Sequence, residues 1–217
     1  MFVKVNGINI HYEVFGEGKP IILLHGNGEC YKIFDVLIEK LKSNYKVYAI
    51  DSRCHGESDN PKEITYDLMC DDTIKLIKEL NIEKPIFYGF SDGGIIGLLV
   101  AMKEPSLLSS LIISGAQLNP DACKTMDLII TKALYYLTRK KLFRLMVKEP
   151  NIKPEELSKI TIPVYVLAGE KDVIKKEHTE LIAKSIPNST LEIIPGEDHG
   201  SYIIHSDKLY GVIEKYL

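Results

Sequence analysis

The hexapeptide Gly89-Phe90-Ser91-Asp92-Gly93-Gly94 joins an apolar run to a stretch with helical character, Ile95 to Met102. A serine in G-x-S-x-G at a strand-to-helix turn sits on a tight elbow, its hydroxyl lifted above the sheet. Glycines two residues to either side are expected there, because neighbouring backbone comes too close for a Cβ. The next amide, that of Asp92, falls at a helix N-terminus, where the positive dipole end favours an oxyanion. The chemistry this pattern implies is nucleophilic attack. A serine needs a base for that, and the base needs an orienting acid.

Six histidines are available. His11 lies in an N-terminal strand pattern, and His178 and His205 lie in helical stretches expected to be exposed. His25 and His55 sit beside glycines in loops that they are expected to stabilise. His199 falls in Pro195-Gly196-Glu197-Asp198-His199-Gly200, after the last strand and before the last helix. Loops at the carboxyl edge of an open α/β sheet carry function, so His199 is the expected general base. The acid is sought in a second loop of this kind, Gly169-Glu170-Lys171-Asp172-Val173. Asp172 is the first choice, Glu170 the fallback and Asp121 a distant third. Asp198, next to the histidine, is expected to point to solvent. Finally, Ile21 to Leu24 runs into His25-Gly26-Asn27-Gly28, where a backbone amide can turn inward to join that of Asp92. One such oxyanion donor is typically worth about 3 kcal/mol in the transition state.

These residues need a scaffold that brings distant loops together, and the chain has the pattern of one. Ile21 to Leu24, Lys46 to Ile50, Pro85 to Phe90, Leu111 to Ser114, Pro163 to Ala168 and Leu191 to Ile194 are apolar runs bounded by Gly, Asp or Pro. Such runs suit strands buried on both faces of a parallel sheet. Helical stripes lie between them, such as Ile33, Phe34, Leu37, Ile38 and Leu41, or Leu68, Ile74, Ile77 and Leu80. Phe2 to Val5 and Ile8 to Phe15 flank Asn6-Gly7, a tight-turn signal, so the sheet should start antiparallel. The expectation is an α/β fold: a mostly parallel sheet of about eight strands flanked by helices, in one domain over residues 1–217. Between residues 119 and 157 the alternation stops and only helical patterns appear. This segment is expected to be a small helical cap over the end of the sheet. It holds eight Lys/Arg against five Asp/Glu, a solvated face or a weak steering field for an anionic substrate or partner.

Composition narrows the function classes. With 217 residues, 45% hydrophobic and 26% charged, the chain can bury a sizeable core. A net charge of −3 gives no reason to expect nucleic acid. No apolar stretch reaches about 18 residues, so no membrane span is expected, and the N-terminus lacks the signal-peptide pattern. Cys30, Cys54, Cys70 and Cys123 are scattered, with no zinc spacing. Free thiols, a cytoplasmic location and no metal or organic cofactor are expected.

Taken together, the pieces resemble the α/β-hydrolase superfamily, from Phe2 to the C-terminus. Tyr12-Glu13 through Gly16-Glu17-Gly18-Lys19-Pro20, leading into the His25-Gly26 strand, is further matching text. Asp51-Ser52-Arg53-Cys54-His55-Gly56-Glu57-Ser58 is similar to the family's D-x-R-G-H-G-x-S loop, with Cys54 in place of the usual glycine. The resemblance implies a triad of Ser91, Asp172 and His199, with oxyanion amides from Asn27 and Asp92. It further implies hydrolysis of carboxylic esters through an acyl-enzyme. The short insertion, only 39 residues over 119–157, leads to the expectation of small carboxylic esters with a small or medium acyl group and low selectivity. The alternatives are a thioesterase, a carbon–carbon bond hydrolase with the same triad, and a ligand-binding protein without turnover. Relatives that dehalogenate use an aspartate at the elbow, and Ser91 argues against that chemistry. Activity is expected to rise with pH as the imidazole gives up its proton. Asp92 is expected either to place a carboxylate near the entrance or to fold back as a helix cap.

Overall fold

The computed structural model describes residues 1–217. Its eight strands are β1 (Phe2–Val5), β2 (Ile8–Phe15), β3 (Lys19–Leu24), β4 (Tyr45–Ile50), β5 (Ile86–Phe90), β6 (Ser110–Ser114), β7 (Val164–Gly169) and β8 (Ser189–Ile194). They form one sheet in the order β1-β2-β4-β3-β5-β6-β7-β8. The β1–β2 and β2–β4 pairs are antiparallel, and every other pair is parallel. The antiparallel start follows from Asn6 and Gly7, whose φ angles of 47° and 83° make the left-handed turn that suits a right-twisted hairpin.

Six α-helices lie between these strands and a seventh follows the last: α1 (Asp35–Leu41), α2 (Tyr66–Glu79), α3 (Asp92–Lys103), α4 (Thr125–Thr138), α5 (Lys141–Lys148), α6 (Lys176–Ser185) and, after β8, α7 (Lys208–Ile213). Alternation along the central strands divides the core between two faces. Ile22 and Leu24 of β3 face the side covered by α2, α3 and α6. Ile21 and Leu23 face the side covered by α1 and α7. All four are fully buried, which explains the unbroken apolar run.

The register brings the ends of the parallel strands level. Leu24 pairs with Gly89, Phe90 with Ser114, Ser114 with Leu167, and Gly169 with Ile194. The loops that follow β3, β5, β7 and β8 therefore leave the sheet at one edge. Helices α4 and α5 lie in the long β6–β7 connection, and no residue of α4 is buried. No helix is long and apolar enough to cross a membrane.

Two histidines differ from expectation. His178 is half-buried in α6, where its Nε2 accepts the Leu118 amide at 2.9 Å. His205 lies in a turn before α7, not in a helix. The Ile203 and Ile204 amides both donate to the Gly200 carbonyl at 2.9 Å, closing a turn that ends before α7 begins.

Candidate active site

Ser91 occupies the single step between β5 and α3, with φ 53° and ψ −112°. A non-glycine residue there is strained, and its surroundings hold it in place. Its amide donates to the Ser114 carbonyl at 2.8 Å, and the Gly93 amide donates to the His25 carbonyl at 3.1 Å. The glycine requirement is steric. A Cβ on Gly89 would lie 2.2 Å from the Gly93 carbonyl oxygen, and one on Gly93 would lie 2.1 Å from that of Leu24.

His199 arrives from the β8–α7 loop. Its Nε2 lies 3.1 Å from Ser91 Oγ, and its Nδ1 lies 2.7 Å from Asp172 Oδ1. The carboxylate only accepts, so Nδ1 donates to it and Nε2 is left to accept the serine hydroxyl. Asp172 is buried and its Oδ1 also accepts the Ile174 amide at 2.8 Å. Phe90 packs against the imidazole with ring centroids 5.0 Å apart. On the other side, a Cβ on Gly115 would lie 2.6 Å from His199 Cε1, so this loop has to be glycine for the ring to enter.

The other carboxylates considered for the acid lie elsewhere. Glu170 is exposed and accepts the Gly196 amide at 2.8 Å, tying the two loops together without touching the imidazole. Asp121 is exposed. Asp198 points to solvent as expected and caps its own loop, accepting the Gly200 and Ser201 amides at 3.0 and 2.8 Å.

The loop after β3 lies against the nucleophile. The Cβ position of Gly26 is 3.1 Å from Ser91 Cβ. Asp92, as the first residue of α3, has an amide with no intrahelical acceptor. His25 and His55 shape this region, as expected. His25 Nδ1 donates to the Gly26 carbonyl at 2.8 Å, and its Nε2 accepts the Ser52 amide at 3.1 Å. Burial, reinforced by nearby His55, brings the His25 pKa down to about 4, so it stays neutral. Cys54 adopts the left-handed conformation that its glycine-like position requires, with φ 66°.

Neither expectation for the Asp92 side chain holds. It stands neither at an entrance nor as a helix cap, but is 4% exposed beneath the loops. Its Oδ1 accepts the Tyr66 hydroxyl at 2.6 Å and its Oδ2 accepts Asn27 Nδ2 at 2.9 Å. Burial raises its pKa, and these two donors oppose the rise. The sequence reading also missed Tyr66 and Glu29. Glu29 accepts the Gly26 amide at 2.9 Å, and partial burial raises its pKa. A carboxylate three residues beyond a glycine is the one local hint of that contact.

A cavity of about 50 Å³ adjoins Ser91 and His199, walled by Gln117, Cys123, Leu128 and Met146 among others. A groove of about 540 Å³ between α2, α3 and residues 149–159 does not reach Ser91. No group of three or more His, Cys, Asp or Glu side chains is disposed to hold a metal ion.

Known proteins share this arrangement at the level of family and fold. The family described as alpha/beta hydrolase fold matches residues 19–143. Human serine hydrolase BPHL is 27% identical over 249 residues, covering 99% of this chain and 85% of that protein. An esterase from Exiguobacterium antarcticum superposes with a TM-score of 0.85 at 23% identity, covering 99% of this chain and 98% of that one. A meta-cleavage product hydrolase from Pseudomonas fluorescens gives 0.82 at 19% identity, covering 100% and 96%.

Proposed function

Because the chain belongs to the α/β hydrolase fold family, we propose that it is a serine hydrolase of small carboxylic esters working through Ser91, His199 and Asp172. The observation that carries this reading is the continuous contact from Asp172 through His199 to Ser91, at 2.7 and 3.1 Å. The hydrolase and esterase relatives support it.

His199 takes the Ser91 proton through Nε2 as Oγ attacks the ester carbonyl. The Asn27 and Asp92 amides receive the developing oxyanion. The imidazolium then protonates the departing alcohol, and water activated by the same imidazole releases the acid from Ser91. Asp172 holds the tautomer and steadies the imidazolium. Residues 119–157 act as a cap, with Leu128 and Met146 walling the cavity. A free volume of about 50 Å³ favours a short acyl group. The four cysteines are unpaired, which supports a reducing, cytoplasmic setting.

The test is hydrolysis of p-nitrophenyl esters of increasing acyl length by wild type and Ser91→Ala. Wild type should prefer the shortest acyl chains, and Ser91→Ala should lose nearly all turnover. Equal rates for the two proteins would remove Ser91 from the mechanism.

A further inference from the structure

Helix α4 carries its apolar stripe on the outside. Met126, Ile129, Ile130, Ala133, Leu134 and Leu137 recur at helical spacing, and all six face solvent. Exposure reaches 67% at Met126 and 81% at Leu137. The half-buried line of the same helix is Asp127, Leu128, Thr131 and Tyr135. A surface helix ordinarily turns its apolar stripe to the core, and a contiguous exposed patch of this kind marks a contact site.

The charge around the stripe says what kind of contact. Residues 121–149 hold seven Lys/Arg against three Asp/Glu, in a chain whose net charge is −3. Lys132, Arg139, Lys140 and Arg144 are exposed, and none of them is ion-paired. Arg139 and Lys140 stand at the α4–α5 turn, directly beyond Leu137. Tyr136, 62% exposed at the margin of the stripe, sits 5.4 Å from the Arg139 guanidinium. Two copies of the chain apposed through α4 would set one cationic rim against another. An apolar stripe with a cationic rim and a marginal tyrosine instead matches a surface that is anionic outside and apolar beneath.

We propose that α4 lies flat on an anionic lipid bilayer, its apolar stripe in the headgroup–acyl boundary and its cations on the lipid phosphates. Fourteen residues span about 21 Å, too short to cross a bilayer but ample for lying in its plane. Leu128 and Thr131, on the opposite side of the helix, line the cavity beside Ser91. About one helix diameter, roughly 10 Å, then separates the membrane surface from that cavity. Docking itself does not depend on turnover.

Sedimentation with vesicles of phosphatidylcholine alone and of phosphatidylcholine mixed with phosphatidylglycerol tests this. The full chain should pellet with the mixed vesicles, be released by raised salt, and stay in solution with the neutral ones. Ile130→Asp and Leu137→Asp should each cut binding about tenfold or more. Lys132→Ala and Lys140→Ala should each weaken it about fivefold. The two aspartate variants should still hydrolyse a soluble ester, which shows that they are folded. Ser91→Ala should pellet like wild type, so failure of the hydrolase reading and failure of docking are distinguishable. The proposal is overturned by absence of pelleting, by equal pelleting with neutral vesicles, by full binding of Leu137→Asp, or by a stable dimer that Leu137→Asp dissociates without any vesicle binding.

Discussion

The Tyr66 hydroxyl donates to Asp92 at 2.6 Å, tying the first turn of α2 to the residue that follows Ser91. Asp92 is buried, and Asn27 from the β3 loop supplies its second donor. The residue with the proposed oxyanion amide is thus held from two sides by its own side chain.

Tyr66→Phe takes away one donor from a buried carboxylate, at a cost of about 2 kcal/mol. Burial already raises the Asp92 pKa, so in the folded state the ionised form is disfavoured. The corresponding stability is fully present below the unfolded pKa and lost as pH rises through the folded one. Losing the Tyr66 bond deepens that loss. Urea midpoints of wild type and Tyr66→Phe should diverge as pH rises above the unfolded carboxylate value of 3.8. A constant gap would mean that Asp92 does not sense this hydroxyl.

Asp172→Asn should keep the fold and lower kcat for a p-nitrophenyl ester by about 10⁴-fold, because the amide can orient the imidazole in the wrong tautomer. Glu170→Gln should leave kcat unchanged, since Glu170 accepts only the Gly196 amide. Steady-state kinetics of the two variants side by side would show a reversed ranking if Glu170 were the acid.

His25 carries a pH-dependent share of stability. Its folded pKa of about 4 lies below the unfolded value of 6.5. The unfolded chain therefore binds the extra proton first as pH falls. Stability is intact above pH 6.5 and declines toward pH 4, by about 3 kcal/mol from this group. Urea unfolding across that window should show a flatter decline in His25→Gln than in wild type. Parallel slopes would assign the acid lability to other groups.

Cys54→Gly should stabilise the chain. A non-glycine residue at φ 66° costs about 1–2 kcal/mol, and glycine adds about 0.5–1 kcal/mol of backbone entropy to the unfolded state. The balance is a gain of about 0.5–1 kcal/mol, a rise in Tm of about 2 °C by calorimetry. A lower Tm would show that the Cys54 side chain contributes more by packing than its backbone costs.

Features whose causes are local were legible along the chain. Unbroken apolar runs have few ways to be satisfied other than as central strands, and the alternation of runs and stripes leads to a parallel sheet. The Ser91 elbow was legible because Gly89 and Gly93 answer a steric demand within five residues of chain. The order of the loops followed from the sheet, and it placed His199 and Asp172 at one edge.

Matters of direction depended on packing between segments distant in the chain. Glu170 and Asp172 share a loop, and two residues of separation leave both able to reach an imidazole. The pairing was set by the turn that buries Asp172 and leaves Glu170 in solvent. Asp92 had two plausible directions in sequence and took a third, because Tyr66 and Asn27 come from segments far along the chain. The same holds for α4. Its periodicity shows a helix with an apolar stripe, yet whether that stripe faces the core or the solvent depends on which side of the helix the rest of the molecule occupies, and no local pattern contains that sign.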